Sequence, residues 1–97
     1  MLHKEFYVYF MSNKTNSVIY VGVTNNLLRR IYEHKHKLSG SFTAKYKVTK
    51  LVYYESFDKP MDAINREKQI KAGSRKRKEE LINSINPSRD DLFDRFR

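Results

Sequence analysis

The stretch "VIYVGVTNNLLRRIYEH", Val18 to His34, joins a β-branched run ending in Tyr-Val-Gly to a segment of helical character that carries two arginines and a histidine. Its first part reads as a strand, and Asn25 or Asn26 supplies the side-chain oxygen that opens a helix. Upstream, residues 5–11 have the same strand character, and "MSNKTNS" between the two runs holds the turn formers Asn13 and Asn16. Residues 5–11 and 17–23 therefore form a hairpin. A loop centred on Lys14 and Thr15 sets Tyr9 opposite Tyr20 and Tyr7 opposite Gly22. Alternation then places Phe6, Val8, Phe10, Ile19, Val21 and Val23 on an aliphatic face, and Tyr7, Tyr9, Tyr20 and Gly22 on a phenolic one.

Outward from this hairpin, the first helix runs to about Lys37, and Gly40 marks its end before the loop "SGSFTAKYK". A third strand, "VTKLVYYESF", occupies residues 48–57. Asp58, with Pro60 in the first turn, opens a second helix that reaches Ala72; Gly73 stops it, and Ser74 caps a third that ends before Pro87. The order β-β-α-β-α-α predicts an α+β fold: a three-stranded, largely antiparallel sheet flanked by helices, each burying one apolar stripe. Residues 1–86 form this domain, and residues 87–97 form a tail that alternates acidic and basic groups around Leu92, Phe93 and Phe96.

Ninety-seven residues suit one domain with a modest core. With no cysteine, disulfides and thiolate zinc sites are excluded. No apolar run approaches the roughly 18 residues of a membrane span, and His3, Lys4 and Glu5 break the N-terminus where a signal peptide is continuously apolar. A cytoplasmic protein with no membrane partner is the expectation. Lys and Arg number 20 against 11 Asp and Glu, a formal charge of +9. So basic a protein favours a polyanionic partner, nucleic acid first.

On a helical wheel Leu27, Leu28, Ile31 and Leu38 share one arc of the first helix, the expected buried stripe. Arg29 projects away from it, while Arg30 and His34, one turn apart, lie along its edge within reach of the phenolic face. In the second helix Ala63, Ile64 and Ile70 define the apolar arc, and Glu67 projects into its middle. A carboxylate there needs a cation, with Arg30 as one candidate, or a metal. His34 and His36 point about 200° apart and form no chelate. Two opposed phenols, a glycine leaving room for substrate, an Arg, a His and a Glu are together the parts for phosphodiester hydrolysis: a base, a charge stabiliser and a hard-cation ligand. A tyrosine acts as that base only if cationic surroundings lower its ordinary pKa of about 10.

These residues also carry a resemblance. "YVY" at Tyr7–Tyr9 stands where the GIY-YIG endonuclease domain has Gly-Ile-Tyr, and "YVG" at Tyr20–Gly22 stands where it has Tyr-Ile-Gly. Arg30, eight residues after the glycine, His34 one turn later, and Glu67 in "NREKQIK" match the rest of the pattern. Over about residues 5–85 the chain resembles that family, especially its small standalone bacterial members. The resemblance implies a nuclease in which Tyr9, Tyr20, Arg30, His34 and Glu67 are catalytic. One Mg²⁺ or Mn²⁺ would sit on Glu67, Arg30 would stabilise the charge on the phosphorane, and Tyr9 or Tyr20 would help activate water. Tyr7 replaces the first motif glycine and is expected to narrow the cleft beside Gly22; Asn83 is the candidate for a late asparagine of the family. Lys45, Lys47, Arg75, Lys76, Arg77 and Lys78 are candidate phosphate contacts that do not read sequence. The expected function is cleavage of DNA, structure-directed or non-specific, in repair or recombination, with specificity supplied by the basic surface or a protein partner. The alternatives are a DNA- or RNA-binding protein of the same fold, or a subunit that needs a partner for activity.

Overall fold

The computed structural model describes residues 5–36 and 45–96. Three antiparallel strands, β1 (Phe6–Ser12), β2 (Ile19–Thr24) and β3 (Lys50–Phe57), form one sheet in the order β2-β1-β3. Helix α1 (Leu27–Lys35) follows β2, and α2 (Pro60–Ala72) and α3 (Arg75–Ile85) follow β3; a short 3₁₀ turn, Leu92–Phe96, closes the described chain. The predicted α+β architecture is the observed one. Leu38 and Gly40, with the end expected for the first helix, lie outside the described residues.

The hairpin differs from expectation in register. Tyr9 faces Gly22, Met11 faces Tyr20 and Tyr7 faces Thr24, a slip of two residues from the expected pairing. The loop decides this. Asn13 accepts the Asn16 amide on its carbonyl at 3.0 Å and the Val18 amide on its side-chain oxygen at 3.0 Å, while Asn16 takes a left-handed φ of 62°. The turn is therefore centred on Thr15 and Asn16. A two-residue slip preserves the pleat, so both predicted faces survive it.

On one face Val8, Phe10 and Val21 meet Ala63 and Ile70 of α2 and Ile82 of α3. On the other Tyr9, Met11 and Leu51 meet Leu27 and Ile31 of α1 and Leu92 of the closing turn. A bulge opposite Phe10 and Met11 lets β3 serve both, with Val52 and Tyr53 turned to the first core and Leu51 to the second. Asn26 caps α1 by accepting the Arg29 amide at 3.1 Å, and Ser74 caps α3 by accepting the Arg77 amide at 3.2 Å. The second helix starts later than expected, at Pro60 with Lys59 in the cap position. Proline suits that first turn because its missing N–H would have no intrahelical partner there.

Residues after α3 pack onto the domain. Asn86 is buried and donates to the Val52 carbonyl at 3.0 Å and to the Asp90 carbonyl at 2.8 Å. Asp91 accepts the amides of Leu51 and Phe93 at 3.2 and 3.0 Å and pairs with Lys35 of α1. Lys35 also donates to the Thr49 carbonyl at 3.0 Å, so a single ammonium ties α1, the start of β3 and the tail together.

Candidate active site

The first helix departs from its predicted stripe in a way that builds the site. Leu28 is 43% exposed, while His34 is only 1% exposed and completes the buried row begun by Leu27 and Ile31. Positions 27, 31 and 34 follow the i, i+4, i+7 spacing of one helical face, so the imidazole sits where a leucine would. It is accommodated because the face opposite is phenolic. Tyr9 Oη lies 3.1 Å from His34 Nε2 and accepts a hydrogen bond from Arg30 Nε at 3.2 Å. The Tyr20 ring is 6.2 Å from that of Tyr9 and 5.3 Å from that of His34, and its hydroxyl interacts with both Tyr9 and Arg30. Four of the predicted residues thus form one connected cluster between α1 and the hairpin.

Gly22 has a different role from the one expected. A β-carbon there would lie 2.5 Å from Tyr9 Oη and 2.6 Å from Cζ, so the space beside it is filled by the Tyr9 ring. Because the register sets Tyr9 directly opposite, only glycine lets the ring cross β2 to meet Arg30 and His34. Tyr7 is turned to other neighbours and does not narrow this space. It donates to Glu5 at 2.6 Å, a bond that, with burial, pushes its hydroxyl up to about 12, and its ring meets Tyr54 edge-on.

The electrostatics follow from burial. Removal from water pushes the Tyr9 hydroxyl up to about 12, and the hydrogen bond from Arg30 offsets this only in part. The cationic neighbour therefore does not produce the lowered tyrosine that a base requires. Burial, reinforced by the Arg30 charge, lowers His34 to about 4, so its ring is neutral at physiological pH. A neutral imidazole can accept from the Tyr9 hydroxyl while that oxygen accepts from Arg30. Arg30 stays charged: burial opposes the charge, but its bonds to Tyr9 and to Glu33 at 3.0 Å outweigh that. Its side chain is 32% exposed. Arg29 lies on the outer side, loosely paired with Glu33 at 3.9 Å.

Glu67 is mostly covered, at 16% exposure, and its ion pair is with Lys71 one turn on, at 3.1 Å, rather than with Arg30. Lys71 lines a groove of about 340 Å³ along the β2 edge with Ile19, Tyr20, Val21 and Lys78. Tyr20 thus belongs both to the aromatic cluster and to the groove that reaches the second and third helices. The other predicted basic residues divide. Arg75 is committed to structure, donating to the carbonyls of Ser17 and Asn16 at 2.6 and 2.8 Å and to Glu79 at 2.9 Å, which clamps the hairpin loop. Lys45, Lys47, Lys76 and Arg77 are exposed, and Lys78 donates to the Gly73 carbonyl at 2.9 Å from the groove wall. Asn83 is exposed and accepts from Arg89 at 2.6 Å.

The profile of the GIY-YIG catalytic domain matches residues 5–80. The chain belongs to the GIY-YIG family. Among its relatives, a UPF0213 protein of Clostridium perfringens is 40% identical over 78 residues, covering 80% of this chain and 83% of the relative. A UPF0213 protein of Syntrophus aciditrophicus is also 40% identical, over 89 residues, covering 86% and 94%. The solution structure of a UPF0213 protein from Bacillus halodurans shares the fold, with a TM-score of 0.56 and 29% identity over 88% of this chain and 90% of that one. The protein is thus a small GIY-YIG protein with a nuclease-type domain, whose substrate class is nucleic acid. Among the described residues no helix is long and apolar enough to cross a membrane.

GIY-YIG nucleases generally use divalent metal ions. Among the described residues no three His, Asp or Glu side chains converge as metal ligands. A hard cation that keeps several waters and takes substrate phosphate needs only one carboxylate, and Glu67 fits that requirement. Lys71 and Glu33 have only one signal in the sequence, the helical-pair spacings of four residues from Glu67 and three from Arg30. Asn86 and Asp91 carried no such signal.

Proposed function

We propose that this protein is a divalent-metal-dependent endonuclease that hydrolyses DNA phosphodiester bonds without reading base sequence. The observation that carries this reading is the Tyr9 hydroxyl linking Arg30 Nε and His34 Nε2 beside a groove that Tyr20 and Lys71 share. Arg30, permanently charged and partly exposed, is suited to meet the charge that builds on phosphoryl oxygens. Tyr20 is half-buried and lines the groove, whereas Tyr9 is enclosed. Tyr20 is therefore the tyrosine placed to contact water or phosphate. Tyr9 keeps its proton at neutral pH and, with neutral His34, fixes the guanidinium; His34 acts through Tyr9 as a positioning residue.

Glu67 would hold the Mg²⁺ or Mn²⁺, which when bound supplies Lewis acidity and an activated water. Lys45, Lys47, Lys76, Arg77 and Lys78 extend a positive surface for the flanking phosphates, in keeping with a charge of +9. With no element shaped for base readout among these contacts, we place the activity in structure-directed or non-specific cleavage, the chemistry of DNA repair or recombination. A second reading is a nucleic-acid-binding protein with little cleavage activity, alone or as a partner-dependent subunit. One observation favours it: Glu67 is already compensated by Lys71.

A panel of single-stranded, duplex and branched DNA, incubated with Mg²⁺ or Mn²⁺, tests the two. Nicking by the wild type, abolished in Glu67→Ala and reduced about 10²–10³-fold in Arg30→Ala, supports the enzyme. Both variants should still bind DNA. Binding without cleavage on every substrate overturns the enzyme in favour of the binder.

A further inference from the structure

Glu67 and Lys71 form a pair whose two halves sit in different surroundings. The carboxylate is 16% exposed and the ammonium side chain 51% exposed, so the acid is fixed in the packed layer and the base reaches it from solvent. A covered carboxylate is costly without a counter-ion, and a lysine one turn away supplies one. The same lysine lines the β2-edge groove, where Lys78 from the third helix is the other cation and Tyr20 the phenol. That groove has about 340 Å³ and, among the described residues, no acidic lining residue, a setting for an anion.

Resting on the proposed role of Glu67, we infer that Lys71 is an exchangeable counter-ion: it holds Glu67 when no metal is bound, yields the carboxylate to the cation, and turns to a DNA phosphate in the β2-edge groove. Each charge then keeps a partner in both states. With no metal, the acid has the lysine. With metal and DNA bound, the acid has the cation and the lysine has the phosphate. Lys71 is on this account a positioning residue that couples metal occupancy to grip on the strand. Because the ammonium half of the pair is open to solvent and the cation replaces its charge at the carboxylate, the exchange costs little affinity.

The test is Mn²⁺ binding to the full chain without DNA, followed by electron paramagnetic resonance, in wild type, Lys71→Met and Glu67→Gln; thermal melting confirms that each is folded. Lys71→Met removes the competitor while keeping the stem, so Mn²⁺ affinity should rise about threefold to fivefold. Glu67→Gln should abolish specific Mn²⁺ binding. In a companion titration with a cleavage-resistant duplex and Ca²⁺, the salt dependence of Lys71→Met should fall by about one counter-ion relative to wild type. Unchanged or weaker Mn²⁺ binding by Lys71→Met, with binding lost in Glu67→Gln, overturns the exchange and leaves the proposed metal ligand standing. Equal Mn²⁺ binding by wild type and Glu67→Gln overturns both. An unchanged salt slope overturns the turn to phosphate.

Discussion

The two faces of one three-stranded sheet make different use of the same alternating strands. Beneath α2 and α3 the face is aliphatic and aromatic, with Val8, Phe10, Val21 and Val52 packed against Ala63, Ile70 and Ile82. Beneath α1 the face is phenolic, and its buried Tyr9 is joined through polar atoms to the buried His34 of that helix. The first face stabilises through area removed from water. The second gives up some of that gain and in return fixes a neutral imidazole and a phenol in the interior beneath a partly exposed guanidinium and a second phenol. Division of labour between faces lets 97 residues carry both a core and a candidate site.

Substitutions that act on one face should leave the signature of the other. The largest effect is expected for Phe10→Ala, which opens a cavity against Tyr53, whose ring centroid is 4.8 Å away. It should cost about 3–5 kcal/mol in denaturant unfolding. A loss below about 1 kcal/mol would mean that the aliphatic face is not the main source of stability. Gly22→Ala comes next: its methyl would collide with Tyr9, so the ring must leave Arg30 and His34. We expect a stability loss of about 1–3 kcal/mol together with a turnover loss of at least about 10²-fold. Wild-type turnover in a folded Gly22→Ala protein would show that the tyrosine–glycine contact is dispensable for the chemistry.

His34 sharpens the contrast through pH. Its folded pKa of about 4 lies below the ordinary 6.5. Between those values the unfolded chain takes up a proton that the buried ring refuses, so stability is full above about 6.5 and falls as pH drops toward 4. Thermal melting of wild type against His34→Gln isolates the effect, because glutamine keeps a polar group near Tyr9 but does not titrate. Parallel pH profiles for the two proteins would contradict a buried neutral imidazole. The smallest effect is expected for Arg75→Ala, which frees the hairpin loop carbonyls at about 0.5–1 kcal/mol. The salt dependence of DNA binding should not change, in contrast to Lys76→Ala; a slope reduced in Arg75→Ala would restore that residue to the phosphate contacts.

Much of the candidate site's geometry is legible in the sequence. The wheel of the second helix marked Glu67 as a carboxylate on an apolar face, and the first helix placed Arg30 and His34 on one edge. The depth of His34 was not legible, because a wheel ranks directions and not distances from the core, and Leu28 is the better apolar side chain by composition. Nor was the direction of the Tyr9 shift. A net charge of +9 suggests a lowered phenol, but burial acts locally and outweighs it. Arg75 looked like one of four equivalent cations in "RKRK"; only the return of the hairpin loop to α3, 58 residues away in sequence, distinguishes it.

The sequence by itself determined the elements, their order and the two sheet faces, because side-chain alternation and helical periodicity depend on neighbours a few residues apart and survive a slip of two. Tertiary structure alone decided which tyrosine lies over Gly22, that His34 is neutral, and that Glu67 holds Lys71 at the β2 edge. Those outcomes depend on the hairpin loop and on what packs against each face, and both are set by contacts between residues distant in the chain.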